Sequence, residues 1–577
     1  MSLATGPLTR ARLSGTSLRD EIDRAVAELQ TAKIAWADMP LAGRIQLAVQ
    51  CLDGVAEVAG DWVAAACLAK GIAADSPLAG EEIANGPLAT VRYLRLLIGT
   101  LQSLHVEGAV RLPAAPTEGP SGQLQIPVLP CAGMFDSLLF RGFKAHVWMQ
   151  RHVTRANLRE HTASYYRAQP PRQAGVSLVL GAGNVSSIAP TDALYRLFHE
   201  GRVVLLKMNP VNDHLGEIFA RAFRQLVQGG YLRFAYGGAE AGAYAAQHPA
   251  IDDVHITGSS QTHDSIVWGA DSAERAQRKA ADDPLLKKPI TSELGNVTPW
   301  IIVPGPYTDR ELDFQAENLA ASIVNNASFN CIASKLIVTQ RGWPAREKFL
   351  AKLQAVLDRT PPRAAYYPGA PERFCRFVPD GQSHDLPGRE GTLPWTIVRD
   401  VSPSEDPQYF REESFVCVTA ETALVASSAE EFLDSVPDFC NERIVGTLGA
   451  TLVVHPKFRR AAGNEARLWR AVERLRYGTV AINHWSALGY AIMSAPWGGY
   501  SGGTLADPTS GIGWVHNTFM LDGVEKTVLE GPLTVRPKPF WFPSHRTADK
   551  LAWQVTDLYH RPSALKLPRL FWTALRG

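Results

Sequence analysis

Cys331 and Glu293 are residue types that suit covalent catalysis. Cys331 lies in NASFNCIASK, where small and polar residues precede it. A cysteine thiolate attacks carbonyl carbons, and an ionised carboxylate such as Glu293, in TSELGN, draws a proton from water. Taken singly, a free cysteine is more often a core residue and a glutamate a surface residue, so each leaves both interpretations open.

A glycine-containing turn follows the buried-strand pattern VSLVL. In GAGNVSS, Gly181 and Gly183 form half of a dinucleotide-binding fingerprint, but Ser186 stands where the third glycine belongs. The turn therefore indicates either a nucleotide site or an ordinary tight connection between a strand and a helix.

Two further strand patterns end in residues that suit a phosphate-containing ligand. Lys207 ends RVVLLK, and Gly258 and Ser259 follow DDVHIT before a predicted helix. Backbone N–H groups at a helix start hold phosphate groups. Ser259 is also compatible with a plain helix cap, and Lys207 with a solvated side chain.

The elements that must position these residues alternate between strand and helix patterns from residue 176 onward. This alternation predicts a parallel sheet with crossover helices. Such sheets bind ligands at the carboxyl ends of their strands, which is where LLKMNP and HITGSS lie. A second α/β unit is expected to begin near Ile301. Residues 108–130 are rich in Pro and Gly and predict a loop or an edge strand.

Composition excludes several classes of function. The 577 residues are 46% hydrophobic and 20% charged with a net charge of +1, which gives no strong field for nucleic acid or an anionic membrane. No run of 18 or more apolar residues occurs, which argues against a membrane span. The seven cysteines are scattered without a C-x-x-C pair, so a disulfide framework or a zinc site is not expected. These features favour a cytoplasmic protein of two or three domains, without a bound metal.

In their order along the chain, these segments resemble the aldehyde dehydrogenase superfamily. The likeness covers about residues 17–60 and 175–535, through the blocks GAGNVSS, VVLLKMNP, HITGSS, TSELGN, NASFNC and REESF. PWGGYSGG and GVEKTVLEGP are similar to the family's carboxyl-terminal blocks. The resemblance implies an α/β fold with a Rossmann-type cofactor domain, an α/β catalytic domain and a small β oligomerisation ribbon.

The resemblance also implies a mechanism. Cys331 is similar to the family's nucleophile, which forms a thiohemiacetal and then a thioester with an aldehyde. Asn184 resembles the asparagine whose amide holds the oxyanion together with the Cys331 backbone N–H. Glu293 resembles the residue that activates water to release the carboxylic acid. NAD or NADP is the implied cofactor, and the residues implied to bind it are Gly183, Lys207, Gly258, Ser259, Glu413 and Phe415.

Four departures from the family pattern stand near these residues. Ser328-Phe329 replaces the usual Gly-Gln before the cysteine, and Asn296 replaces the second glycine of ELGG. Gly183 stands where the family has a tryptophan that packs near the cofactor. Pro210 replaces a glutamate that commonly binds the adenosine ribose and repels a 2′-phosphate. Its absence leaves NAD and NADP both open.

The resemblance also predicts a division of the chain. The predicted parts are 1–295 as a cofactor-binding domain with an irregular 108–175 region that contributes to oligomerisation, 296–480 as the catalytic domain, 481–540 as the return to the cofactor domain with an oligomerisation strand, and 541–577 as an aromatic, basic tail. The strand near 525–537 is expected to pair across the interface of a homodimer or homotetramer. The tail, with an apolar stripe at Leu551, Val555, Leu558 and Tyr559, is expected either to pack on an oligomer partner or to contact a membrane surface.

Phe329, Trp485 and Tyr490 are expected to line an apolar tunnel, which favours an aliphatic or aromatic aldehyde. Two alternatives stay open. A CoA-acylating dehydrogenase would resolve the thioester with a thiol, but the presence of Glu293 argues against it. A non-catalytic cofactor-binding scaffold would explain the departures near Cys331, but it gives no reason for the matched polar residues.

Overall fold

The computed structural model describes residues 15–168, 173–378 and 391–577. The chain divides into two compact units. Unit 1 comprises the chain up to Gly108, Ser164–Thr291 and Ala552–Ala564. Unit 2 comprises Ala109–Ala163, Ser292–Leu551 and Leu565–Gly577.

The strands of the described residues, in chain order, are β1 (Thr117–Glu118), β2 (Leu124–Leu129), β3 (Lys144–Met149), β4 (Val176–Leu180), β5 (Val203–Lys207), β6 (Leu232–Ala235), β7 (Asp253–Thr257), β8 (Ile290–Glu293), β9 (Thr298–Ile302), β10 (Ser334–Gln340), β11 (Arg363–Ala364), β12 (Thr392–Leu393), β13 (Thr396–Val398), β14 (Val418–Leu424), β15 (Gly449–Val453), β16 (Thr479–Ile482), β17 (Pro496–Trp497), β18 (Gly511–Ile512), β19 (Val515–His516) and β20 (Val524–Glu530). The helices are α1 (Gly15–Ala37), α2 (Leu41–Ala69), α3 (Ala79–Ile83), α4 (Ala89–Glu107), α5 (Gly133–Leu139), α6 (Ser164–Arg167), α7 (Ile188–Phe198), α8 (Gly216–Ala222), α9 (Arg224–Gln228), α10 (Ala239–Gln247), α11 (Ser260–Trp268), α12 (Ser272–Ala281), α13 (Asp309–Val324), α14 (Arg346–Arg359), α15 (Ala370–Phe377), α16 (Gln408–Arg411), α17 (Ala429–Arg443), α18 (Pro456–Arg460), α19 (Asn464–Arg474), α20 (Leu488–Ala491), α21 (Ala548–His560) and α22 (Leu567–Leu575).

Unit 1 contains a parallel sheet in the order β7-β4-β5-β6. Strands β4 and β5 are buried along their whole length. Their uninterrupted apolar runs suit strands that are covered on both faces, as crossover connections require. The carboxyl ends of these parallel strands lie at one edge of the sheet, as the sequence predicts.

Unit 2 contains a ten-stranded sheet in the order β1-β2-β3-β20-β16-β15-β9-β10-β14-β13. The strands from β20 to β13 are parallel to one another, whereas β1, β2 and β3 join antiparallel at the other side. The mixed α/β architecture confirms the predicted fold class. The nucleophile segment enters this sheet at β10.

The segment predicted to be irregular forms regular strands instead. Residues 109–163 contribute β1, β2 and β3 to the sheet of unit 2. Ile126 of β2 and Val147 of β3 are fully buried in one apolar cluster with Leu529 of β20. Pro and Gly residues near 108–122 mark the loops before these strands, and alternation of apolar residues within KAHVWM is the signal that reveals β3.

Strand β20 has both of its edges occupied within the chain. It pairs with β16 on one side and with β3 on the other. A strand with two intramolecular partners has no free backbone groups for a strand of another subunit. The expected pairing of this strand across an oligomer interface is therefore wrong for β20, and residues 481–540 lie within unit 2.

The carboxyl-terminal residues form two helices of different character. The predicted stripe on α21 is buried, with Leu558 at 0% and Tyr559 at 4% exposure. Arg95 donates hydrogen bonds to the carbonyls of Tyr559 and His560, and the Arg92 guanidinium lies 4.7 Å from the Tyr559 ring centroid. The stripe of α21 is thus an internal packing surface.

Within the described residues, no helix combines the length and the apolar character needed to cross a membrane. The same part of the chain contains no group of three or more His, Cys, Asp or Glu residues arranged to hold a metal ion.

Candidate active site

The nucleophile loop, residues 325–331, links α13 to β10 through an unusual backbone. Asn326, Ala327 and Ser328 have φ values of 53°, 54° and 69°, a left-handed conformation that is costly for residues other than glycine. The Asn326 side-chain amide donates to the Phe329 carbonyl over 2.7 Å. Cys331 lies three residues after the last residue of this strained turn.

Cys331 and Glu293 are in direct contact. The Cys331 thiol donates to Glu293 Oε1, with Sγ at 3.3 Å from the oxygen. Glu293 is the last residue of β8 and is 3% exposed. Burial raises the pKa of the Cys331 thiol well above its ordinary value, and the charges of Glu293 and Glu413 raise it further. The thiol is therefore protonated in the resting protein, and Glu293 is placed to accept that proton.

Glu413 lies close to the same group of residues. The Asn296 backbone N–H donates to its carboxylate, and burial raises the pKa of Glu413 to about 8 against the opposing charges of Lys335 and Arg373. Its Oε1 atom is buried without a hydrogen-bond partner among the described residues. A Cβ atom at Gly295 would collide with this carboxylate. The ELGN sequence thus supplies both the space and the donor that hold Glu413.

An aromatic cluster covers one side of the nucleophile loop. The Phe329 ring packs against Tyr366 at 5.0 Å, Tyr367 at 5.6 Å and Phe415 at 6.0 Å between centroids. Phe415 also packs against Tyr367 at 5.0 Å. The Tyr366 hydroxyl donates to the Asn326 side-chain oxygen over 3.0 Å. The cluster therefore connects the loop to the segment that carries Glu413.

The expected tunnel formed by three aromatic residues is not what the structure shows. Phe329 is 1% exposed, so its ring packs with a predicted cofactor residue and lines no open tunnel. The Trp485 indole N–H donates to the Ile332 carbonyl over 2.8 Å, which fixes the backbone next to Cys331. Tyr490 packs against other aromatic residues, with its ring 4.5 Å from that of His516.

The remaining predicted residues lie in unit 1. Gly183 and Asn184 follow β4, Lys207 ends β5, and Gly258 and Ser259 follow β7. Because β4 lies between β5 and β7, all five residues stand at the carboxyl edge of one parallel sheet. This is the edge at which such sheets bind ligands.

The Asn184 turn is held by a buried ion pair. Lys70 Nζ donates to the Asn184 carbonyl over 3.1 Å and to Glu82 over 2.8 Å. Asn184 itself is 7% exposed. Its role in holding an oxyanion beside Cys331 stays a prediction.

Lys207 and Ser259 have distinct environments. Burial lowers the pKa of Lys207 to about 8, against the charge of Asp213, which raises it. The Ser259 hydroxyl caps α11 by accepting the Thr262 backbone N–H over 3.1 Å. The helix-cap interpretation of Ser259 is therefore correct. The other backbone N–H groups at the start of the helix have no acceptor within the helix and suit a phosphate group.

The space that the missing tryptophan would fill near Gly183 is occupied by another residue. A Cβ atom built at Gly183 would lie 2.6 Å from Asn209 Oδ1 and 3.0 Å from the Val211 Cβ atom. Asn209 Oδ1 also accepts the Val211 backbone N–H over 3.0 Å. Asn209, two residues after Lys207, thus occupies the space in which a larger side chain at position 183 would begin.

Sequence reasoning missed three residues around the site in unit 2. Lys335 is a buried lysine within the apolar strand run SKLIVTQ, and a charged residue in such a run is a detectable signal. Tyr367 and Arg373 lie outside every motif and reach Phe415 through chain folding, with the Arg373 guanidinium 5.9 Å from its ring. No local pattern identifies the latter two.

Comparison with known proteins matches part of the chain to a family model. A model described as the aldehyde dehydrogenase family matches residues 138–364, a range that contains Asn184, Glu293 and Cys331. Over these residues the chain is similar to the aldehyde dehydrogenase family. The match agrees with the predicted resemblance to that superfamily.

Solved structures of aldehyde dehydrogenases share the fold. A putative aldehyde dehydrogenase from Burkholderia cenocepacia is 19% identical, with 89% of this chain and 92% of that chain covered at a TM-score of 0.57. An NAD-dependent aldehyde dehydrogenase from Sinorhizobium meliloti is 18% identical, with 90% and 88% covered at a TM-score of 0.56. A glyceraldehyde-3-phosphate dehydrogenase from Methanocaldococcus jannaschii, complexed with NADP, is 14% identical, with 89% and 95% covered at 0.56.

Each of the two units contains groups of the kind that a nicotinamide dinucleotide requires. The unpartnered Oε1 atom of Glu413 is an acceptor for a ribose hydroxyl. Phe415 presents a half-buried ring beside it. In unit 1, Lys207 and the start of α11 supply an ammonium group and backbone donors of the kind that ribose and phosphate groups require.

Proposed function

We propose that the protein is an NAD(P)-dependent aldehyde dehydrogenase that converts an aldehyde to a carboxylic acid through a covalent adduct on Cys331. The observation that carries this proposal is the 3.3 Å contact between Cys331 Sγ and Glu293 Oε1, which lie within the residues that match the aldehyde dehydrogenase family model. A nucleophile and a base in contact form the pair that acyl chemistry on a thiol needs.

The chain's own residues account for the first part of the reaction. Glu293 accepts the Cys331 proton, and the thiolate adds to the aldehyde carbonyl to form a thiohemiacetal. The Cys331 backbone N–H donates to the developing oxyanion, and Asn184 retains its predicted share of that role. NAD(P), when bound, supplies the hydride acceptor of the reaction.

Release of the acid requires a second proton transfer at the same carboxylate. Loss of a hydride from the adduct, which bound NAD(P) would accept, leaves a thioester on Cys331. Once Glu293 has released the first proton to solvent, it takes a proton from water, whose oxygen attacks the thioester carbon. The Cys331 thiolate is expelled as the carboxylic acid leaves and is reprotonated by Glu293. Glu413 and Phe415 would hold the nicotinamide ribose and ring. The residues proposed for the rest of the cofactor are Gly183, Lys207, Gly258 and Ser259.

We propose an apolar aliphatic or aromatic aldehyde as the substrate. Support comes from Trp485, whose indole is fixed to the Ile332 carbonyl and so lies next to the residue after Cys331. The Phe329 ring does not support this choice of substrate, because it is buried.

The experiment follows NAD(P)H absorbance with a panel of straight-chain and aromatic aldehydes. The wild type should reduce NAD or NADP, whereas Cys331→Ala should be inactive. Cys417→Ala, which removes another buried thiol of unit 2, is the matched control and should retain activity. Equal rates for wild type and Cys331→Ala would refute the proposal.

The CoA-acylating alternative makes a separate prediction. The Glu293 contact favours water over a thiol as the acceptor, so addition of CoA should yield free acid and no acyl-CoA. Acyl-CoA as the main product would favour the alternative, and no nucleotide reduction with any aldehyde would favour a scaffold.

The exposed face of α22 supports a second, separate proposal: contact with an anionic membrane surface. Trp572 and Leu575 are 63% and 70% exposed, beside the basic Arg569 and Arg576. Apolar and basic residues on one short helix suit an anionic lipid surface. Liposome flotation should be lost in Trp572→Glu and retained in Val425→Glu, which changes an even more exposed apolar residue elsewhere. Equal flotation of both variants would refute this proposal.

We also retain a homodimer or homotetramer and a cytoplasmic location as proposals. Because β20 is fully paired within the chain, an assembly must use another surface. Light scattering of the purified chain tests the assembly, and fractionation of the source cells tests the location.

A further inference from the structure

Lys335 is a buried cation directly beneath the nucleophile loop. Its side chain is 4% exposed, near the start of β10. Nζ donates to the Ser328 carbonyl over 3.1 Å, to the Ser328 hydroxyl over 2.7 Å and to the Val416 carbonyl over 2.7 Å. An ammonium group has three N–H donors, and these acceptors use all of them.

The three acceptors belong to two functional segments. Ser328 lies three residues before Cys331 in the nucleophile loop, and Val416 directly follows Phe415. We infer that Lys335 is a positioning residue for the nucleophile, whose ammonium group fixes the nucleophile loop against the segment carrying Glu413 and Phe415. This inference rests on the proposed aldehyde oxidation, and it assigns Lys335 no contact with the substrate.

The departures from the family pattern before Cys331 agree with this role. Ser328 supplies the hydroxyl that accepts the Lys335 ammonium group, and a glycine at that position would offer only its carbonyl. Phe329 packs 6.0 Å from Phe415 between ring centroids. Ser328 and Phe329 therefore both connect the nucleophile loop to the segment that carries Glu413 and Phe415.

The charged and polar groups around Lys335 stabilise its buried ammonium group. Burial lowers the pKa of Lys335 to about 8, and the nearby Glu413 carboxylate opposes that shift. A buried charge persists when polar groups surround it. Loss of the ammonium group would leave the Ser328 and Val416 acceptors buried without their donor, and the strained turn at Ser328 would lose its fixed contact.

A second buried lysine of unit 2 provides a matched control. Lys526 is fully buried and donates to the carbonyls of Val472, Glu473 and Leu475 over 3.1, 2.8 and 2.6 Å. It has the same chemistry as Lys335 but binds no part of the nucleophile loop. A purely structural role of a buried lysine would give both Lys→Met variants the same phenotype.

The experiment measures alkylation of Cys331 by iodoacetamide in the cofactor-free protein, using peptide mass spectrometry. Because burial shields the thiol and raises its pKa, release of the loop should speed alkylation about threefold or more in Lys335→Met. Lys526→Met should alkylate at the wild-type rate. In turnover assays, Lys335→Met should lower kcat and raise the KM for NAD(P), and Lys526→Met should change neither.

A double-mutant cycle tests whether Lys335 affects the alkylation of Cys331 through Ser328. Ser328→Ala removes one acceptor and should speed alkylation less than Lys335→Met, and it serves as the test if Lys335→Met does not fold. If Lys335 acts through Ser328, the double variant should not exceed Lys335→Met. Wild-type alkylation rates in Lys335→Met, or fully multiplicative effects in the cycle, would overturn the inference. An altered alkylation rate without any aldehyde oxidation by the wild type would instead count against the proposed function alone.

Discussion

Cys331 Sγ lies 3.3 Å from Glu293 Oε1, and the thiol donates its hydrogen to a carboxylate that is almost completely buried. The contact both supplies a base and holds the thiol in its protonated form. A protonated thiol is a weak nucleophile and is oxidised slowly. The arrangement therefore keeps Cys331 inactive until Glu293 accepts its proton.

Replacement of Glu293 by glutamine should separate thiol reactivity from turnover. Burial is the main cause of the raised Cys331 pKa, and the Glu293 charge and hydrogen bond add to it. Glu293→Gln removes the added part, so the thiol pKa should fall and alkylation at neutral pH should become faster. Turnover should fall by about 10²- to 10⁴-fold because the general base is lost.

Peptide mass spectrometry after timed iodoacetamide treatment checks the first effect, with Cys417 in the same digest as an internal reference. Slower alkylation of Cys331 in Glu293→Gln would contradict the contact described here. Undiminished turnover would contradict the role of Glu293 as a base.

Gly295→Ala should weaken cofactor binding through Glu413. The added Cβ would collide with the Glu413 carboxylate, which must then leave the position proposed for the ribose hydroxyl. Loss of the proposed hydrogen bond to the ribose predicts a rise of about tenfold in the KM for NAD(P). Steady-state kinetics at saturating aldehyde measure it.

Gly342→Ala is the control for this substitution, since a Cβ there meets no atom within 4 Å. It should leave the KM for NAD(P) unchanged. An unchanged KM in Gly295→Ala as well would remove Glu413 from the proposed cofactor site.

His484 should make the stability of the protein depend on pH below neutrality. Its Nε2–H donates to the Pro532 carbonyl over 2.8 Å, and burial lowers its pKa to about 4. An unfolded histidine titrates near pH 6.5, so the unfolded chain takes up a proton first as the pH falls. Stability is therefore constant above about pH 6.5 and decreases as the pH falls from there toward 4.

The size of this effect follows from proton linkage. By pH 5 the loss amounts to about 2 kcal/mol of unfolding free energy. His484→Gln keeps a donor for Pro532 but has no titrating group. Urea unfolding at pH 7 and pH 5 should show a loss in the wild type that exceeds the loss in His484→Gln by about this amount. Equal losses in the two proteins would contradict the assignment.

The sequence predicted which residues come together near Cys331 better than it predicted the packing around them. Cys331 and Glu293 lie in short motifs, and the structure brings their side chains together. The parallel sheet of unit 1 follows from apolar runs such as VSLVL, which are local signals. Lys207 and Ser259 consequently stand at the expected sheet edge.

Errors arose where long-range partners decide the outcome. The sequence of β20 predicts a strand, but its partners β16 and β3 are set by the burial of Leu529 against distant residues. The burial of Phe329 under Tyr367 depends on a segment almost forty positions further along the chain. Neither contact has a local signature, whereas a lysine at position 335 in an apolar strand does.

Mass spectrometry of the Cys331 peptide can detect the proposed covalent adduct on Cys331. Glu293→Gln should be mixed with aldehyde and NAD(P), quenched in acid and digested. We expect a mass increase on this peptide equal to the acyl group of the aldehyde, because the lowered thiol pKa lets the thioester form while the loss of the base slows its hydrolysis. Oxidation of the aldehyde by Cys331→Ala, or an acylated peptide other than that of Cys331, would contradict it.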